Sequence, residues 1–298
     1  MKEGMCFWSV IIYKNTKKSK VLNGMTINCK GELVDLSSPK IMGILNITPN
    51  SFYDGGKYKS DAAFLKHAEE MIAQGADFID VGAYSSKPSA EFVSEQEEIQ
   101  RIVPIVAMLQ KEFPTTHLSI DTFRAAVAKA TVEAGAAIVN DIAAGHLDEA
   151  MLETVGQLQV PYIMMHMRGT PQTMQSLTAY SDLVKEVKLY FAERVAKARE
   201  HKINDIILDP GFGFAKTLDQ NYELMGKMEL LSSFDLPLLV GISRKSMIYK
   251  LLDITAQEAL NGTTVLNTIA LQKGANILRV HDVKEAVQTR EILKQIIK

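Results

Sequence analysis

From about residue 41 onward the chain alternates short apolar runs with longer amphipathic stretches. The runs are Ile41–Asn46, Phe78–Gly82, His117–Asp121, Ala137–Asp141, Tyr162–His166, Asp205–Asp209, Leu238–Ile242 and Ile277–His281. They are nearly continuous rather than alternating with period two, the pattern of strands buried on both faces of a parallel sheet. Between them, Asp61–Gln74, Glu95–Lys111, Phe123–Glu133, Leu147–Leu158, Ser181–His201 and Leu218–Leu231 carry helical periodicity. Two shorter stretches, one of them Gly262–Lys273, follow Ile242, and a last helix covers Val283–Ile296. Eight such units over about 255 residues predict a closed (β/α)₈ barrel, with a doubly wound open sheet as the second choice. No linker or low-complexity tract interrupts the pattern, so residues 37–298 are expected to form one barrel domain.

Residues 1–36 have a different texture. Short strand-like runs between 7 and 36 are broken by lysines and by Asn23-Gly24, a dipeptide suited to a type I′ hairpin turn. The expectation is a β-hairpin extension that plugs the N-terminal mouth of the barrel.

Composition narrows the function. With 33 Lys and Arg against 35 Asp and Glu, the net charge of −2 argues against a broadly cationic nucleic-acid surface. The ligand is therefore expected to be small. Only Cys6 and Cys29 occur, too few for a disulfide framework, which fits a reducing cytoplasm. The apolar run Cys6–Ile12 is too short for a membrane span and lacks a cleavage site, so neither export nor membrane insertion is expected.

In a parallel barrel, reactive groups collect where strands end. Here every predicted strand ends on a polar group: Asn46, Asp80, Asp121, Asn140 with Asp141, His166, Asp209, Ser243 with Lys245, and Arg279 with His281. Packing alone would make these eight ends buried costs without benefit. Asp121 and Asp209 beside Asn140 could grip a flat ligand rich in N–H donors, such as an aminopyrimidine. The competing role for Asp121 is to cap the helix that follows it. Asp209 precedes Pro210, which favours a turn over a cap. Lys245, Arg279 and His281, with Lys87 in the second loop, suit an anionic leaving group such as a diphosphate. Arg279 and His281, two apart on a strand, share a side. Of the adjacent Arg244 and Lys245, at most one need enter the site.

Other features carry less. LDPGFGFAKT lacks the spacing of a P-loop or a dinucleotide fingerprint. The loop Asn46–Tyr58 has a composition suited to a lid. His166, flanked by Met164, Met165 and Met167, has no partner at metal-ligand spacing and reads as core strand, with methionines lining the pocket.

Taken in order, the strings MGILNITPNSFYDGG, DVGAYSSKP, SIDT, VNDI, MHMRGTPQTMQ, LDPGFGFAKT, GISRKS and RVHDV closely resemble the dihydropteroate synthase family over about residues 40–285. The resemblance implies a usually homodimeric (β/α)₈ transferase of folate biosynthesis. Its reaction joins 6-hydroxymethyl-7,8-dihydropterin diphosphate to p-aminobenzoate, with Mg²⁺ accompanying the diphosphate. Carried over by motif, Asp121, Asn140, Met164, Asp209 and Lys245 match pterin-pocket positions. Asn46, Ser86, Lys87, Ser243, Arg279 and His281 match the diphosphate side, with Asn46 at the Mg²⁺. Phe52, Pro88, Phe214 and Ser246 match the p-aminobenzoate pocket. Asp121, Lys245, Arg279 and His281 are the expected catalytic set, in a dissociative substitution in which Asp121 stabilises the pterin cation while Arg279 and His281 offset the leaving charge. The family commonly reads GGESTRPG in the second loop, where this chain has Gly82-Ala-Tyr-Ser-Ser-Lys-Pro-Ser89. Asn50 replaces a more usual Asp. Lys87 keeps a charge but loses a bidentate guanidinium. Two alternatives are a methyl-transferring pterin barrel, which has no need of the Arg279–His281 pair, and a pterin-binding regulatory protein, supported only by the altered loop.

Overall fold

The computed structural model describes residues 25–47, 57–84 and 93–296. Eight parallel strands wind into a barrel: β3 (Lys40–Asn46), β4 (Phe78–Gly82), β5 (His117–Asp121), β6 (Ile138–Asp141), β7 (Tyr162–Met165), β8 (Ile206–Asp209), β9 (Leu239–Val240) and β10 (Ile277–Val280). Each pairs with its sequence neighbour, β10 pairs with both β3 and β9, and β8 meets β9 through a single parallel bridge, Leu208 to Leu238. The N–H of Leu208 donates to the Pro237 carbonyl at 2.9 Å, sealing that seam. The closed barrel, rather than an open sheet, is the architecture.

Helices α1 (Lys57–Ala73), α2 (Glu95–Glu112), α3 (Ala125–Glu133), α4 (Met151–Leu158), α5 (Leu183–Glu200), α6 (Leu218–Gly226), α7 (Ser246–Leu252), α8 (Leu260–Gln272) and α9 (Val283–Ile296) form the outer layer. Local chemistry sets their starts. Ser94 accepts from the Glu97 N–H, Asp182 from the Lys185 N–H, and Thr217 with Gln220 makes a reciprocal capping box. The expected helix over Leu218–Leu231 stops at Gly226 and continues as a 3₁₀ segment, Met228–Phe234. α3 begins two residues later than its periodicity suggests. Asp148, from the loop before α4, accepts the Ala125 N–H at 2.7 Å, so the cap comes from a neighbouring unit.

The barrel is two-sided. Tyr162, Met164, Val139 and Leu208 face outward into the large cluster shared with the helices, whereas Met42, Phe78, Ile138, Ile163, Ile207, Leu239 and Ile277 fill the lower interior. That interior cluster is completed by Ile27, Cys29 and Leu36 from the antiparallel hairpin β1 (Thr26–Cys29) and β2 (Glu32–Asp35). The hairpin therefore plugs the N-terminal mouth. Its turn is Lys30-Gly31, with φ of 57° and 89°, the doubly positive geometry of a type I′ turn. Asn23-Gly24, the expected turn, lies outside the described residues. Burial at the plug pushes the Cys29 thiol up to about 12, so it remains an unreactive core thiol.

Candidate functional site

At the opposite, C-terminal end the same inward alternation becomes polar. Above the apolar layer, β4 presents Asp80, β5 Ser119 and Asp121, β6 Asn140, β8 Asp209 and β10 Arg279; in register, Asp121 lies beside Asn140 and Met165 beside Asp209. Gly82 and Gly241 keep the space open. A Cβ at Gly82 would sit 3.3 Å from the Asp121 Cβ, and one at Gly241 would sit 3.8 Å from the Arg279 Cβ.

Arg279 is the hub. Its Nε donates to Asp80 Oδ2 at 2.6 Å and its Nη2 to Asp121 Oδ2 at 2.7 Å, while Asn140 Nδ2 donates to the same Asp80 oxygen at 3.0 Å. One guanidinium thus spans two carboxylates from adjacent strands. Burial works against its charge, but Asp80 and Asp121 outweigh that and raise its pKa further. Asp121 is held up at about 7, chiefly by burial, with Arg279 pulling it down and Asp80 pushing it up. It is poised to change charge on small alterations of its surroundings.

The second half of the site is built by the loop after β8. Asp209 is buried, and its pKa is raised by that burial against the pull of Lys245. Its Oδ1 accepts the Gly211 N–H at 2.8 Å, a turn rather than a helix cap. Lys245 Nζ donates to the Phe212 carbonyl at 2.7 Å and lies 4.7 Å from the centre of the Phe214 ring. Burial brings Lys245 down to about 8, with Asp209 opposing and Arg279 reinforcing the shift. Ser246 opens α7 immediately after Lys245. Arg244 turns away, with φ of 54°, and makes a two-point ion pair with Asp282 at 2.9 and 2.8 Å. Of the two adjacent cations, Lys245 enters the site and Arg244 braces the loop.

His281 departs from its expected role as a cation. Burial, then Arg279, lowers its pKa to about 4, so the ring is neutral in the free protein. Its backbone N–H donates to Ser243 Oγ and its Nδ1 lies 3.1 Å from the same oxygen. With that hydroxyl donating to Nδ1, the ring proton is assigned to Nε2.

Several sequence expectations are corrected. Met164 does not line the pocket: it faces the helices, and strand parity gives the interior position to Met165, which joins the apolar rim of Met167, Met174, Ala215 and Phe214. Asp121 caps no helix, since α3 starts at Ala125 on Asp148. Asp141 points outward, accepting from the Ala143 and Gly145 N–H groups and from the Tyr162 hydroxyl. Asn46 ends β3 in an exposed rim position. Phe52, Ser86, Lys87 and Pro88 lie outside the described residues. Asp80 was legible as a strand end, but nothing in the sequence tied it to Arg279. Lys216 was missed entirely: it is 4 % exposed, and its ammonium lies 2.9 Å from His166 Nδ1. Tyr84, at the base of the altered second loop, packs edge-on against Phe123 and accepts a hydrogen bond from Gln172.

Comparison with known proteins agrees with this geometry. Residues 42–281 match the family model described as pterin binding enzyme. Dihydropteroate synthase of Escherichia coli is 43 % identical over 273 residues, spanning 91 % of this chain and 96 % of that one. The chain belongs to the dihydropteroate synthase family. The family's structures superpose well. The Yersinia pestis enzyme, solved with a sulfonamide drug, gives a TM-score of 0.86 at 41 % identity, covering 92 % of this chain and 99 % of that one. The Xanthomonas albilineans enzyme, solved with 4-aminobenzoic acid, gives 0.85 at 34 % identity, with 92 % and 98 % coverage. The matched span, residues 42–281, includes the whole inward ring from β4 to β10.

Proposed function

We propose that this chain joins 6-hydroxymethyl-7,8-dihydropterin diphosphate to p-aminobenzoate, yielding 7,8-dihydropteroate and diphosphate. The observation that carries the reading is that Arg279 joins the inward carboxylates Asp80 and Asp121 on one side to the N–H and O–H donors of Ser243 and His281 on the other. Asp121, Asn140, Asp209 and Lys245 are the groups for the pterin: three acceptor side chains face a ring system rich in N–H donors, and the Lys245 ammonium can donate to its carbonyl oxygen. Arg279, Ser243 and His281 are the groups for the diphosphate. Arg279 Nη1 has no partner among the described residues, and the neutral His281 keeps Nε2–H to donate. Phe214, Ser246 and, beyond the described residues, Phe52 and Pro88 are assigned to the p-aminobenzoate side, with Ser86 and Lys87 at the diphosphate.

In this reading the methylene carbon–oxygen bond breaks with its electron pair leaving on diphosphate. Arg279 offsets the developing charge, and a second anion beside His281 raises its affinity for a proton. The remaining pterin cation is stabilised by ionised Asp121. The arylamine nitrogen then forms the new bond and loses a proton to solvent. Mg²⁺ is proposed as the companion of the diphosphate. One exposed carboxamide, Asn46, at the rim fits a hard cation that keeps most of its waters and takes its other ligands from phosphate oxygens, and the ion would supply charge neutralisation there. A homodimer is proposed as the working form, supported by apolar side chains exposed on α7 and α8, Leu251, Leu252 and Val265. No described helix is long and apolar enough to cross a membrane, and a cytoplasmic location is proposed from the free buried Cys29.

The test is to mix the protein with dihydropterin diphosphate, p-aminobenzoate and Mg²⁺ and follow both products. Arylamine-dependent, equimolar release of diphosphate and dihydropteroate is expected. Tight pterin binding without turnover would refute the catalytic assignment.

A further inference from the structure

Lys216 is a buried cation that the chemistry above does not use. Its Nζ lies 2.9 Å from His166 Nδ1 at the end of β7 and donates to the Gly211 carbonyl at 2.9 Å and the Phe214 carbonyl at 3.1 Å. An ammonium has three hydrogens, and here each has its own acceptor. His166 is held neutral, first by burial and then by Lys216 itself, so Nδ1 offers a lone pair.

The segment gathered by these bonds is unusual. Gly211, Gly213 and Ala215 have φ of 70°, 85° and 47°, three left-handed residues within five. A Cβ at Gly211 would lie 2.1 Å from the His166 carbonyl oxygen, so the loop sits hard against the end of β7. That coil carries the three features that shape the site beside Asp209. The Gly211 N–H fixes the Asp209 carboxylate, the Phe212 carbonyl holds Lys245 Nζ, and the Phe214 ring packs under the same ammonium. The two glycines enter the left-handed region freely but lose more chain entropy on ordering than other residues, and Ala215 adds strain, so cross-links help the coil to persist. Asn221, through Gly213, and Tyr180, through Ala215, tie its outer side. The inner side is tied by Lys216.

We infer that Lys216 is a positioning residue for the reaction: by stapling the loop 211–216 to His166, it aims Lys245 and Asp209 at the pterin. The inference rests on the functional reading above. It assigns Lys216 no contact with substrate.

The experiment compares wild type, Lys216→Met, Lys245→Met and the double variant, because methionine fills the buried volume without donating. Three quantities are read: hydrogen exchange of the 211–216 amides, the Kd for dihydropterin diphosphate, and kcat/KM for each substrate. Expected for Lys216→Met are faster exchange confined to 211–216 and pterin affinity weakened by about tenfold. The double variant should lose less pterin affinity than the product of the two single losses, because part of the effect of Lys216 passes through Lys245 and only the part through Asp209 remains. Independent, multiplying losses would reduce Lys216 to general stability and overturn the inference, as would unchanged exchange in 211–216 or unchanged pterin affinity. If Lys216→Met does not fold, His166→Phe removes the same acceptor from the strand side and must reproduce the local exchange and the loss of pterin affinity. A wild-type protein without turnover would refute the proposed reaction, yet pterin binding and amide exchange would still decide the role of Lys216.

Discussion

Replacing Asp80 by Asn should move the acid limb of kcat/KM to lower pH. Asp80 is fully buried, and its Oδ2 takes both Arg279 Nε and Asn140 Nδ2. Asn keeps the shape and one acceptor oxygen but removes a charge two bonds' reach from Asp121. The two carboxyl groups share one guanidinium, so taking about 5 Å between them and an effective dielectric of about 20, Coulomb's law gives about 3 kcal/mol of repulsion on ionised Asp121, or about two pKa units. Relaxation of Arg279 toward Asp121 adds in the same direction, while water entering the site subtracts. Asp121 sits at about 7 in the wild type, with burial its main cause and Asp80 a contributor that would vanish. The ionised form therefore persists to lower pH in Asp80→Asn, and a limb reporting Asp121 ionisation should fall by one unit or more. The assay is diphosphate release under kcat/KM conditions from pH 5 to 9. Substrate phosphate titrates identically with both proteins, so only the difference between them counts. The alkaline limb, set by Lys245 near 8, should stay in place. The maximum rate falls as well, because Arg279 loses a charged hydrogen bond contributing about 1.5–3 kcal/mol. An acid limb that stays put or moves upward would refute Asp80–Arg279–Asp121 as one electrostatic unit.

Three further outcomes test separate parts of the structure. Asp121→Asn should cripple turnover yet raise the melting temperature of the ligand-free protein at pH 8: a folded-state pKa lifted to about 7 means the group's stabilising contribution is present below the ordinary carboxylate range and is lost as pH rises through 7. The gain should shrink toward pH 5, and an equal gain at both pH values in calorimetry would contradict the assignment. Arg244→Lys should lose part of the two-point pairing with Asp282 and lower thermal stability, with kcat/KM staying within about threefold of wild type; a larger kinetic loss than Lys245→Met would reverse the roles given to the two cations. Ile27→Ala in the plug should cost about 2–4 kcal/mol in denaturant unfolding while leaving pterin affinity unchanged, since its side chain is 1 % exposed at the end of the barrel remote from the site.

The barrel was legible because its signal is redundant. Eight continuous apolar runs at near-regular spacing leave few other ways to bury the chain, and the strands appear within a residue or two of their expected ends. β9 is the shortest, with two paired residues where five were expected, and a Cβ at the Gly241 that follows it would lie 3.8 Å from the Arg279 Cβ. Strand parity over YIMMHM carries the same kind of signal, and a single step along the strand separates the pocket-facing Met165 from the helix-facing Met164. Other features could not be read locally. Asp148 caps a helix 23 residues earlier, Lys216 reaches a histidine 50 residues away, and Asp80 meets an arginine 199 residues away. Each depends on closure of the barrel, which no window of sequence contains.

That dependence also explains how one ring of side chains can serve both ends of a substrate that is neutral and donor-rich on one side and strongly anionic on the other. The described interior holds three carboxylates, Asp80, Asp121 and Asp209, against Arg279, Lys245 and Lys216, and no ion is left unopposed. Burial holds Asp121 up at about 7 and Lys216 and Lys245 down at about 7 and 8, so several of these groups can change protonation at small free-energy cost near neutrality. Arg279 is the exception, fixed as a cation between its two carboxylates. In the proposed reaction an arriving diphosphate competes with Asp80 and Asp121 for that guanidinium. Whatever attraction Asp121 loses to the anion, it must recover from the positive charge that develops on the pterin as the diphosphate departs. On that proposal Arg279 is more than an anion clamp: its two-sided pairing couples the charge at the leaving group to the charge on Asp121.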